Sequence, residues 1–254
     1  MLSVKGFEAA FGYMQLFVEG LITTVTLSAL TVIFGFMLAL VLALMRMSNF
    51  RPLRFLGSGQ SEGSIPERIS RFNPVSLIAN VYVEVFRATP LLVQLFIVYY
   101  MLLADITLPV FKLFGIIRFE RMIPGVIALS LNSGAYLSEI IRSGIQSIDG
   151  GQTEAARSLG MSQGMNMRYI ILPQAIKNIL PAIANEFVTI IKESSITWTI
   201  GVQEVMFAVN SVKAATYFIG EPLIIAACVY FCLTFPTSKI IEHFERKMSR
   251  GDKR

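Results

Sequence analysis

The chain alternates long apolar stretches with short polar ones. From Leu21 to Met45, 25 consecutive residues carry no charge. As a helix rising about 1.5 Å per residue, such a run is roughly 37 Å long, enough to cross a hydrocarbon core of about 30 Å with some tilt. It is too long for the apolar part of a signal peptide, and no small-residue cleavage site follows it. The pattern therefore predicts a retained transmembrane helix over about Leu16 to Met45. Four further spans are predicted. One is centred on Ala88 to Ala104, with a more polar lead-in from Val75; the others cover about Ile123 to Ile141, Ile176 to Thr199 and Pro222 to Ile241. The third and fourth spans contain polar residues and Pro124 or Pro181, for which neighbouring helices must compensate. The expected fold is an all-α membrane protein of about five transmembrane helices, forming one domain from residue 1 to 254. Residues 57–74 (GSGQSEGSIPERISRFNP) interrupt the pattern with Gly, Ser and Pro and read as a flexible loop.

Composition agrees with lipid as the solvent. The chain is 54% hydrophobic and 15% charged, where a soluble domain carries about a quarter charged residues. The distribution of Lys and Arg then fixes an orientation. Fifteen lie in the loop after the first span, in the region 142–177 and at the C-terminus; five (Lys5, Lys112, Arg118, Arg121 and Lys213) lie on the other side. The positive-inside rule places the N-terminus outside and the C-terminus in the cytoplasm. The net charge of +5 is accounted for by that asymmetry, without nucleic acid. Cys228 and Cys232 fall in an apolar run, where a thiol behaves as a small hydrophobe. His243 is the one histidine, so no histidine-based metal or catalytic centre is expected. No glycine is followed by lysine, which excludes a Walker A phosphate loop.

The most informative polar segment lies between the third and fourth spans, over about 149–175. Asp149, Gly150 and Gly151 predict a turn that ends the third span. A short helix is expected from about Gln152 to Leu159, stopped by Gly160 in a left-handed conformation, with Ser162 capping a second short helix. Ala155, Ala156 and Leu159 are expected to form a small apolar patch. Glu154 stands at the helix start, where its charge suits the macrodipole. Glu154, Ala155, Ala156, Gly160, Ile170, Leu172 and Pro173 fall at the spacing EAA-x3-G-x9-I-x-LP. With these positions the chain resembles the membrane-spanning permease subunits of ABC importers. The resemblance implies that Glu154, Ala155, Ala156, Leu159 and Gly160 form a coupling helix that moves with an ATPase. It also implies ATP and Mg on that partner and no cofactor on this chain. A second permease subunit, identical or a paralogue, and an extracytoplasmic binding protein complete the implied assembly in a bacterial inner membrane.

Two stretches narrow the resemblance to the polar-amino-acid branch of these permeases: YVEVFRATPLLVQLFIVYY from Tyr82, and ALSLNSGAYLSEIIRSGIQSI from Ala128. In that branch the first cytoplasmic connection is usually shorter than 57–74. A polar solute also has support from spacing alone. Asn132, Tyr136 and Glu139 form one polar stripe, and Asn185, Thr189, Lys192 and Glu193 another, with Glu186 beside them. Ionisable groups within a membrane face the protein interior or a water-filled path. Carboxylates there suit an α-ammonium group, and Lys192 or helix N-termini suit an α-carboxylate. Interhelical hydrogen bonding explains Asn132, Asn185 and Glu186 equally well. Glu84 with Arg87, and Glu139 with Arg142, can equally be interfacial ion pairs. An ion-coupled secondary transporter using Glu186 or Glu139 is the alternative function, but it leaves the 149–175 segment unexplained.

Overall fold

The computed structural model describes residues 2–52 and 72–249. Most of the loop expected over 57–74 lies outside the described residues. Chain order is built on helices. A short helix α1 (Val4–Phe11) leads into α2 (Met14–Arg46), followed by α3 (Pro74–Ala88) and α4 (Leu91–Ile97), the last continued by a π-type turn to Leu102. Then come α5 (Phe119–Gln146), α6 (Gly150–Ser158), α7 (Gln163–Asn166), α8 (Leu172–Glu193) with a 3-10 extension over Ser194–Ile200, α9 (Val205–Thr216) and α10 (Gly220–Ser249).

α2 and α5 form the central pair. The buried face of α2 runs through Thr24, Leu27, Ser28, Thr31, Gly35, Ala39 and Leu42, a helical spacing of mostly small side chains. Such faces let helix backbones approach closely in lipid, where hydrophobicity alone supplies no force between helices. Around this pair the core divides by depth. At one end Leu27 packs with Leu95, Met122, Leu129, Ile200 and Val202. At the other, Ala39 and Ala43 meet Leu137, Ile141, Ala175 and Ile179 of α5 and α8. α3 closes over Leu42 and Ala135 with Ala79 and Val83. α1, α9 and α10 gather on the start of α2 around Phe17, Val209 and Ile225.

Among the described residues two helices, α2 and α10, are long and apolar enough to cross a membrane on their own, and α3 with α4 makes a third if the bent pair counts as one span. α5 and α8 have the length but carry the polar positions noted in the sequence. α5 buries them within the bundle, among them Ser130, Asn132, Ser133 and Ser138.

Three features differ from the expected pattern. The second span is not one rod: its halves are bent by 111° at Thr89–Pro90. Thr89 is extended (φ −110°, ψ 145°), as the ring of a following proline demands. α9 is a further helix, short and amphipathic, that hydropathy does not mark as a span. Beside the helices of the expected all-α fold, the described residues include one small antiparallel pairing, Lys112–Leu113 with Ile117–Arg118.

The two ends of the bundle are distinct. Glu221, at the start of α10, accepts from the Ser3 backbone N–H at 2.8 Å, holding the N-terminus at one end. Arg46, at the last turn of α2, reaches Glu139 near the end of α5, at the other end with the segment that follows Gln146.

Candidate functional site

Both short helices of the polar segment after α5, α6 and α7, are capped by side chains at their N-termini. Asp149 accepts from the Gly151 N–H at 2.7 Å and starts α6 at Gly150, two residues before the expected Gln152. Gly160 has φ +78°, the left-handed conformation expected of it. Its N–H donates to the Arg157 carbonyl, and the Met161 N–H donates to the Ala156 carbonyl, at 3.0 Å in both cases. Those crossed bonds make a Schellman stop that satisfies the last carbonyls of α6. Ser162 accepts from the Met165 N–H at 3.3 Å and begins α7. Asn166 donates to the Thr153 hydroxyl at 3.1 Å, pinning α7 back against α6.

The hairpin presents an apolar edge to solvent. Leu159 is 83% exposed, with Tyr169 and Met165 also uncovered; Glu154 and Ala155 are exposed as well. Ala156 departs from the expectation. It is 1% exposed and faces the hairpin interior, a helical step of about 100° round from Ala155, which shares its side with Leu159 four residues on. The outward surface is therefore Glu154, Ala155 and Leu159, and Ala156 is its support.

Both feet of the hairpin are anchored. Asn178 of α8 donates to the Ser147 hydroxyl at the end of α5 (3.1 Å). One turn further into α5, Arg142 donates to Glu139. Glu139 also accepts from Arg46 of α2 at 2.7 Å, and the Arg46 Nε donates to Asn80 of α3 at 2.7 Å. One carboxylate thus ties α5 to α2 and, through Arg46, to α3.

The remaining polar positions separate into two groups. Asn132 is 6% exposed. It donates to the Gln94 side-chain oxygen (2.9 Å) and the Phe86 carbonyl (3.3 Å), while Gln94 donates to the carbonyls of Phe86 and Thr89. Together these amides fill the break that Pro90 leaves between α3 and α4. On α8, by contrast, Asn185 and Lys192 are exposed and Glu186, Thr189 and Glu193 half-buried. Asn178, Asn185 and Lys192 recur every seven residues, so they line up along one side of the helix. A cavity of about 530 Å³ opens beside this side, between α8 and α10, with Asn178, Asn185, Ser238 and Glu242 in its wall.

The pair expected between Glu84 and Arg87 does not form among the described residues. Both side chains are exposed, and the Arg87 guanidinium lies 5.5 Å from the ring centroid of Tyr136, a cation–π distance.

Sequence reasoning passed over Arg46 and Gln94, and also Glu204. Glu204 is fully buried. It caps α9 by accepting from the N–H groups of Met206 and Phe207 and takes a 2.7 Å bond from the Tyr230 hydroxyl of α10. The Glu204–Val205 backbone passes so close to α2 that a Cβ at Gly20 would meet it at 2.9 Å. Glutamate is not among the usual N-cap residues, so neither this cap nor its partner Tyr230 is legible in the sequence.

Known proteins carry the same organisation. Residues 63–250 match the family described as the binding-protein-dependent transport system inner membrane component. The arginine transport system permease protein ArtQ of Bacillus subtilis (strain 168) is 41% identical over 97% of this chain and 98% of its own length. A putative glutamine transport system permease protein, GlnP, of Rickettsia conorii is 39% identical over 91% of this chain and 92% of its own. A crystal structure of an amino acid ABC transporter with histidines superposes with a TM-score of 0.79 at 41% identity, covering 97% of this chain and 100% of that one. The inward-facing methionine transporter MetNI, at 15% identity and TM-score 0.64, shares the fold. With the hairpin, the anchored helices and these matches together, the chain belongs to the binding-protein-dependent transport system inner membrane component family, the membrane-spanning permease subunits of ABC importers.

Proposed function

We propose that this chain carries a polar amino acid across a bacterial inner membrane as one half of a two-chain path, moved by ATP bound with Mg on partner ATPase subunits. The observation that carries the reading is the capped hairpin, with Leu159 83% exposed at its tip. An apolar tip on a rigid, twice-anchored hairpin fits a groove on another protein. Glu154, Ala155 and Leu159 are the contact residues, Gly160 and Ala156 the residues that shape the contact. A pull on the hairpin passes into α5 and α8 directly, and through Glu139 and Arg46 into α2 and α3.

The solute reading rests on the relatives, whose names specify arginine and glutamine transport, and on the polar side of α8. Glu186 and Glu193 suit an ammonium group, and Lys192 suits a carboxylate. Asn185, Thr189 and Tyr136 add hydrogen-bonding or ring contact. Asn132 and Glu139 act from behind, holding the helix break and the inner ends together. One chain leaves this side of α8 open, which favours a second permease chain, a copy or a paralogue, facing it. An extracytoplasmic binding protein delivers the amino acid on the N-terminal side, with the hairpin and C-terminus in the cytoplasm. Family membership removes the reason for the ion-coupled alternative.

The test is uptake into proteoliposomes holding the chain with its ATPase, supplied with binding protein and labelled amino acids. ATP-dependent accumulation of a polar amino acid is expected. Accumulation driven by a proton gradient without the ATPase would overturn the reading.

A further inference from the structure

A second cavity of about 530 Å³ lies at the end of the bundle opposite the hairpin, where α4 runs into its π-type turn and α5 begins. Its wall brings together Tyr99, Tyr100, Leu103, Glu120, Arg121 and Pro124. The volume is that of a small-molecule pocket, and its wall mixes apolar side chains with a few polar groups of the kind such sites use to orient a ligand.

The charged groups here are of opposite sign and form no ion pair among the described residues. Glu120 Oε2 is shielded from solvent and has no hydrogen-bond partner among the described residues. A shielded carboxylate oxygen without a donor is costly, and a ligand N–H would relieve that cost. Pro124 has no N–H, so it gives the Glu120 carbonyl no helical partner either. Arg121 makes no ion pair among the described residues; it donates to the Tyr99 hydroxyl at 3.3 Å and lies beside Gly201. Its planar fork keeps free donors of the geometry that suits a carboxylate. Tyr99 and Tyr100 stand edge to face, 4.8 Å between ring centroids, and give an apolar surface next to both charges.

We propose that this cavity is an outer binding site for a free amino acid zwitterion, distinct from the polar side of α8. Glu120 takes the α-ammonium, Arg121 the α-carboxylate, and the tyrosines, Leu103 and Pro124 the side chain. The site holds the amino acid at the outer mouth after delivery and before it enters the path. The proposal rests on the reading that the chain passes amino acids. The same ammonium–oxyanion chemistry occurs in a phosphatidylethanolamine headgroup, so the test separates the two sources.

Trp198 is the single tryptophan of the chain. Its carbonyl accepts from the Gly201 N–H at 2.9 Å, and Gly201 lies beside Arg121, so the Trp198 backbone is one hydrogen bond from a neighbour of the site and its emission serves as the readout. The full chain in nanodiscs of phosphatidylglycerol and phosphatidylcholine is titrated with L-arginine and L-glutamine, each against its Nα-acetyl derivative. A saturable change in Trp198 emission is expected with at least one free amino acid and not with its acetylated form. Glu120→Gln should weaken it tenfold or more, and Arg121→Met should abolish it, while both variants still co-purify with the ATPase. Equal affinity in wild type and Glu120→Gln would overturn the proposal, as would equal response to the acetylated form or no response. An emission change on adding phosphatidylethanolamine, with none from either amino acid, would assign the pocket to lipid and overturn it too. Uptake in the proteoliposomes separates the two readings: ATP-driven uptake with no Trp198 response removes this site alone, and no amino acid uptake removes the proposed function.

Discussion

At Gly160 the backbone sits at φ +78°, a region where a Cβ meets the following carbonyl. Replacing it with alanine should cost about 1–2 kcal/mol locally, enough to fray a nine-residue helix such as α6. Gly160→Ala is expected to lower ATP-dependent uptake several-fold while membrane insertion is unchanged, read by uptake against the amount of chain in the membrane fraction. Leu159 tests the contact itself. Leu159→Asp leaves the helix intact and places a charge at the apolar tip, so it should abolish co-purification with the ATPase. Retained co-purification would place the contact elsewhere. These residues are legible in the sequence because a short capped helix is decided locally: Asp149, Gly160 and Ser162 act on backbone groups within a few positions. Ala156 is where local spacing misleads. Adjacent residues on a helix cannot share a narrow contact face, and Ala156 turns inward from its neighbour.

Among the elements, the broken second span shows what hydropathy does not contain. The apolar run from α3 into α4 reads as one rod because hydropathy records composition and not direction. Pro90 marks the break, but what holds it open is a pair of amides: Gln94 on the Phe86 and Thr89 carbonyls, and Asn132 on Gln94. Their partners are backbone atoms and residues on another helix, which no spacing rule reaches. Removing one member leaves buried acceptors unpaired, so Asn132→Ala should cost about 1–3 kcal/mol. The double change with Gln94→Ala should cost less than the sum of the two, measured as thermal unfolding in detergent; strict additivity would mean the amides act separately. The Glu139–Arg46 pair makes a similar contrast. Glu139 and Arg46 are mostly covered, at 23% and 11% side-chain exposure, whereas Glu242 and Lys239 on α10 are about half exposed. Breaking a covered pair strands a charge, while exposed pairs contribute about 0–1 kcal/mol. Glu139→Ala should therefore lower the unfolding temperature clearly more than Glu242→Ala. α9 escapes the sequence for a related reason: its buried Val205, Ala208, Val209 and Val212 make it a short packing helix, which a search for long spans overlooks.

For the whole molecule, the parts divide by end. The N-terminus, the small strand pair and the start of α10 gather at one end; Arg46, the hairpin and the last turns of α10 gather at the other. On the orientation expected from the lysine and arginine counts, the second of these ends faces the cytoplasm. The link between the ends is a pair of continuous helices, α5 and α8, that flank the hairpin and carry the polar positions into the bundle. On the proposed function, displacement of the hairpin would displace the walls of the path, with α2 and α3 brought along by Glu139 and Arg46. That mechanism requires the hairpin to stand on the cytoplasmic face, against the ATPase. A single cysteine at position 159, with Cys228 and Cys232 changed to serine, addresses this most directly through a membrane-impermeant maleimide. No labelling is expected in intact cells, with strong labelling after permeabilisation that falls when the ATPase is co-produced. Labelling of intact cells would put the hairpin outside and contradict the coupling of this chain to a cytoplasmic motor.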